Sequence, residues 1–84
     1  MESYWMAIDE TGFESIHQHE PIYNRLYKKW YSKIGIPVNK GFSKLILNEE
    51  LNKEIDKDLV VAVAFEIDNK IENKIIVINT HRIY

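Results

Sequence analysis

Leu59–Phe65 is the longest unbroken apolar run in the chain, seven residues, and it constrains the fold more than any other feature. It is far too short to span a bilayer as a helix, which takes about 20 apolar residues. The run is rich in β-branched valine, and both faces of an extended Leu59–Ala64 are apolar. Such a strand must be covered above and below, which predicts the centre of a sheet. It continues to Ile67, turns through Asp68-Asn69-Lys70 and returns as Lys74–Tyr84, a C-terminal β-hairpin. Ile75–Ile78 is the window most prone to aggregate and needs pairing and cover. Left at a sheet edge, Lys74–Tyr84 would pair with a second copy to give a homodimer.

An N-terminal hairpin is expected from Tyr4–Asp9 and Phe13–His19, with Asp9-Glu10-Thr11-Gly12 as its turn. A two-residue loop at Thr11-Gly12 would place Asp9 opposite Glu14, a destabilising like-charge pair. A four-residue loop with Gly12 at positive φ instead pairs Ile8 with Phe13 and Trp5 with Ile16. That register puts Tyr4, Met6, Ile8, Phe13 and His17 on one face, and Trp5, Ala7 and Ile16 on the other.

Pro21 ends the second strand. Leu26, Tyr27, Trp30, Tyr31 and Ile34 then recur at helical spacing, with Asn24 as N-cap and Gly35 as the stop before Pro37. Leu26, Trp30 and Ile34 also share a face at period two, so a strand is the competing reading. A second helix starting at Asn39 or Ser43 would carry Phe42, Leu45, Ile46 and, if long, Leu51 and Ile55. Glu49, Glu50 and Glu54 would fall at its unfavourable end, so it is expected to stop near Asn48. The expected architecture is α+β: a small antiparallel sheet from the two hairpins, covered by one or two short helices. It forms one domain over residues 1–84.

Charge is partitioned along the chain. The first twenty residues hold five acids and no Lys or Arg, whereas Pro21–Asn48 holds no Asp or Glu at all. That central block carries Arg25, Lys28, Lys29, Lys33, Lys40 and Lys44, interleaved with Tyr23, Tyr27, Trp30 and Tyr31. With a net charge of only −2, any attraction for an acidic partner must be local to this block. On a helix, the lysines would face solvent and the aromatics the core. That arrangement suits an acidic protein surface or a phosphate backbone better than base stacking. Arg25, Tyr27, Lys28, Lys29, Trp30, Tyr31, Lys33, Lys40 and Lys44 are therefore the candidate binding residues.

Catalysis and cofactors find no support in the residues. There is no Cys, and three Gly encode no phosphate-cradling loop. Ser3, Ser15, Ser32 and Ser43 lack a nucleophile-elbow context. His17-x-His19 would project two imidazoles from one face of a strand, with His81 as a third ligand. Two histidines fall short of the three ligands plus water that even an open zinc site uses. No metal, no cofactor, no membrane and a non-enzymatic protein are expected, in a reducing, cytoplasmic setting.

Residues YWMAIDETGFESI (4–16) and VNKGFSKLIL (38–47) resemble short phage and prophage proteins of Bacteroidetes-type bacteria. The resemblance covers about half the chain. It implies a phage or mobile-element context and brings no catalytic residues with it. The expected function is that of a small accessory protein binding a macromolecule, as an inhibitor of a host system does. Nucleic-acid binding through phosphates and a self-associating structural subunit are the alternatives.

Overall fold

The computed structural model describes residues 2–47, 49–53, 59–68, 70 and 74–83. Through them run strands β1 (Glu2–Ile8), β2 (Glu14–His17), β3 (Ile22–Asn24), β4 (Lys29–Tyr31), β5 (Gly35–Pro37), β6 (Val61–Asp68) and β7 (Lys74–Arg82). A 3-10 turn at Phe42–Leu45 and a single helical turn, α1 (Glu49–Asn52), complete the described elements. Five strands form one antiparallel sheet in the order β5-β2-β1-β6-β7, and β3 and β4 pair as a separate ribbon.

The apolar run lands where its chemistry requires. β6 lies between β1 and β7, and Val61, Ala62 and Val63 are wholly buried. On one face Met6, Ile8, Val61, Val63 and Phe65 pack against Ile46, Leu47 and Leu59. On the other, Ala7, Val60 and Ala62 receive Trp30. Alternation along β1 and β6 divides the buried surface between two cores. Each fully buried Val or Met side chain contributes roughly 1.5–3 kcal/mol relative to exposure.

The α+β expectation is overturned. The cover on one face is the β3–β4 ribbon and on the other the 3-10 turn and the chain after it. No helix of seven or more residues occurs among the described residues. The reason lies on the sheet face, where Ala7 and Ala62 leave a hollow that one indole fills. Of the five residues in the helical stripe only Trp30 is buried, while Leu26, Tyr27, Tyr31 and Ile34 are exposed. The Asn24 side chain does cap, but it caps a turn: its Oδ1 accepts from the N–H groups of Leu26 and Tyr27, both at 3.0 Å. Lys28 closes that turn at φ 58, and β-prone Ile22, Tyr23, Trp30 and Tyr31 form the two strands. The second expected helix shrinks to the 3-10 turn. Glu49 opens α1, the favourable end for an acid. Ile55 lies outside the described residues.

Both terminal hairpins form, but the first in a different register. Ile8 pairs with Glu14, Met6 with Ile16 and Trp5 with His17. The loop has three residues, closed by Asp9 N–H donating to Phe13 O, with Gly12 at φ 82. Asp9 decides this, because its Oδ1 accepts from Thr11 N, Thr11 Oγ1 and Phe13 N. A one-residue slip exchanges every facing side chain. Ile16 therefore joins the Met6 core and His17 moves to the Trp5 face. The C-terminal hairpin is interrupted by a bulge: Ala64 pairs with Asn79 but Phe65 with Val77. β7 is an edge strand, and Ile76, Val77 and Ile78 are partly exposed along it. No described helix is long and apolar enough to cross a membrane.

Candidate functional site

The ribbon is the most exposed apolar and basic feature of the described surface. Its inward side chains, Tyr23 and Trp30, meet with ring planes tilted by 57° and centroids 5.0 Å apart, and the indole Nε1 donates to Ile8 O at 2.9 Å. His81 from β7 meets the Trp30 ring edge-on at 5.7 Å. Strand alternation then turns Ile22, Asn24, Lys29 and Tyr31 outward, and Ile22 and Tyr31 are direct cross-strand partners. At the tip, Leu26 is 82% and Tyr27 65% exposed, between Arg25 and Lys28. Lys28 Nζ lies 3.9 Å from Glu10 Oε2, a solvent-screened pair that ties the tip to the β1–β2 loop. Lys33 is exposed just after β4.

The nine sequence-predicted binding residues do not form one surface. Arg25, Tyr27, Lys28, Lys29, Tyr31 and Lys33 belong to the ribbon and its exit. Trp30 is buried beneath it as the anchor. Lys40 and Lys44 lie on the opposite face of the sheet, where they line a cavity of about 490 Å3 with Asp9, Thr11, Glu14 and Ser43. The expectation of core-facing aromatics fails for Tyr27 and Tyr31, because a hairpin tip and an outward strand position replace the helix stripe.

Glu14 was invisible as a site residue. It is buried, and its Oε2 and Oε1 accept from Gly41 N at 2.7 Å and Ser43 N at 2.6 Å. The carboxylate thus holds the start of the 3-10 turn from a strand 27 residues away. The sequence carried no signal for it, because the expected register turned Glu14 to the opposite face, and only the observed pairing with Ile8 brings it to the Met6 face.

His17 also departs from its expected role. His19 lies beyond the end of β2 and is exposed, so the two imidazoles do not share a strand face. Both His17 ring nitrogens are engaged: Nε2 with Ser15 Oγ at 2.8 Å, Nδ1 with Ser32 Oγ. Ser32 Oγ donates its proton to Ile34 O at 3.0 Å. The carbonyl can only accept, so Nδ1–H donates to Ser32 and Nε2 accepts from Ser15, which assigns the tautomer. Burial lowers the His17 pKa below its usual 6.5 and favours this neutral ring. Gly35, its partner across β5, packs against the ring, where an added Cβ would come within 2.7 Å of Nδ1. Among the described residues no three His, Cys, Asp or Glu side chains gather to hold a metal.

Fold and surface together define a small antiparallel β-sheet module with a basic, aromatic ribbon mounted on one face. Comparison with protein-family models, with curated proteins and with solved structures yields no match to the chain.

Proposed function

We propose that this protein is a small accessory protein of a phage or mobile element. It works in the host cytoplasm by docking its β3–β4 ribbon on an acidic protein surface. The exposure of Leu26 and Tyr27 beside Arg25, Lys28 and Lys29 carries the reading. Apolar and aromatic anchors inside a basic rim are the composition of an interface hot spot. The fold gains nothing from exposing them, because Trp30 and Tyr23 seat the ribbon. Affinity capture from host lysate with wild type, Leu26→Ala/Tyr27→Ala and a Lys28/Lys29/Lys33→Glu variant tests it. Both variants should lose the same partner while melting near wild type. Retention of that partner by both would sink the proposal.

Tyr27 and Tyr31 are exposed, which favours phosphate and base contact as a second reading. Mobility shifts with single- and double-stranded DNA and RNA at two salt concentrations decide it; no retardation at low salt excludes it. The edge position of β7 supports self-association as a third. A monomer by light scattering at high concentration removes it.

A further inference from the structure

Ser15, His17 and Ser32 come from a strand and a distant loop, yet they form one directed hydrogen-bond chain. Ser15 O–H donates to His17 Nε2 at 2.8 Å, Nδ1–H donates to Ser32 Oγ, and Ser32 O–H donates to Ile34 O. Every proton in the chain points away from Ser15 Oγ toward the Ile34 carbonyl. That is the arrangement of a hydroxyl nucleophile, its base and a group that orients the base. The same three residues line a cavity of about 180 Å3, whose other walls include Phe13, Trp30, Tyr31 and Pro37. A reactive chain at the foot of a small, largely apolar pocket has two of the parts an acyl-transfer site requires.

We propose that Ser15 is a reactive serine that accepts short acyl groups from activated esters, with His17 as general base and Ser32 as its positioning residue. Ser15 Oγ attacks the ester carbonyl and forms the new C–O bond as its proton passes to Nε2. The ester C–O bond breaks, and the leaving oxygen departs with that proton. Water then attacks acyl-Ser15 and gives one proton to Nε2, which passes it to Ser15 Oγ as the acyl–Oγ bond breaks, and the carboxylic acid is released holding the other water proton. No oxidant, metal or co-reactant enters the balance. Aryl esters are the expected substrate class, because base catalysis alone contributes about 10²–10⁴-fold. A good leaving group makes that sufficient.

The experiment uses the full chain with p-nitrophenyl acetate, following nitrophenolate release and locating acetyl groups by peptide mass spectrometry. Acetyl-Ser15, or turnover that Ser15→Ala abolishes, is the expected result. His17→Gln should slow the reaction by about 10²-fold or more. A folded wild type provides an independent readout should that variant unfold. Ser15 from β2 and Ser32 bond the His17 ring, Gly35 from β5 packs on it, and Tyr31 is the one other titratable group lining its cavity; none of these is a carboxylate or an ammonium. The wild-type rate should therefore fall about tenfold per pH unit once His17 alone becomes protonated, below its folded pKa. Ser32→Ala should slow the reaction and move that transition, which a purely structural contact would leave in place. Acetylation no faster at Ser15 than at exposed Ser3, activity retained by Ser15→Ala, or a rate unchanged as pH is lowered through the protonation of His17 would each overturn the proposal.

Discussion

Glu14→Gln isolates the contact that joins the sheet to the segment covering it. In the wild type both carboxylate oxygens accept backbone N–H groups, from Gly41 at 2.7 Å and Ser43 at 2.6 Å. Glutamine keeps one acceptor oxygen and turns an NH2 group toward the other N–H. One charge-assisted bond is lost, about 1.5–3 kcal/mol, and a buried donor is left facing a donor, about 1–3 kcal/mol more. A cost of roughly 3–5 kcal/mol is expected, against a total stability of about 4–13 kcal/mol for a domain of this length. Urea titration should show a lower midpoint with an unchanged slope, and the melting temperature should fall by about 12 °C or more. Glu14→Ala should cost no more than the glutamine change, because water from the adjoining cavity can reach the freed N–H groups. A glutamine variant within about 1 kcal/mol of wild type would refute the clamp.

Three further outcomes follow from the same geometry. Gly35→Ala should destabilise by about 1–3 kcal/mol in urea, since its Cβ meets the His17 ring at 2.7–2.8 Å and one of the two must move. Lowering the pH should destabilise the fold through His17. Its folded pKa lies below the unfolded value of 6.5, so the unfolded state binds more protons in that window. The contribution is complete above pH 6.5 and is lost as pH falls from there toward the folded pKa, which urea midpoints at pH 7.5 and 5.8 will read. Trp30→Phe should cost about 1–3 kcal/mol by removing the Nε1 donor to Ile8 O and shrinking the anchor, with ribbon amides losing hydrogen-exchange protection before those of β6.

Much of the sheet was legible because its signals are local. Leu59–Phe65 can satisfy both apolar faces only at the centre of a sheet, and β6 is there. The turn residues of both hairpins announced them. Register was not legible, because it turned on one carboxylate: Asp9 caps a three-residue loop and thereby carries Ile16 and His17 to opposite faces. The middle segment misled for a physical reason. Five apolar residues at helical spacing describe a helix only if a surface exists to bury them all. Here the facing strands supply Ala7, Ala62 and Val60, room for one indole. Asn24 was rightly read as a cap and wrongly as a helix cap, since an Asx turn and an N-cap use the same side-chain oxygen.

The candidate sites divide along the same line. That the centre of the chain is basic and aromatic follows from composition and holds in any fold. Which of those side chains meet solvent does not. Strand alternation sends Tyr31 and Lys29 outward and Trp30 inward, and the tip exposes Leu26 and Tyr27. The sequence by itself determined a central strand, two hairpins and a cationic middle, because apolar runs, turn residues and charge act over a few neighbouring residues. Only the tertiary structure decided that Lys40 and Lys44 leave the ribbon surface, that Glu14 holds a turn 27 residues away, and that Ser15, His17 and Ser32 meet. Each is a contact between segments distant in the chain, set by how strands are ordered and which face they turn.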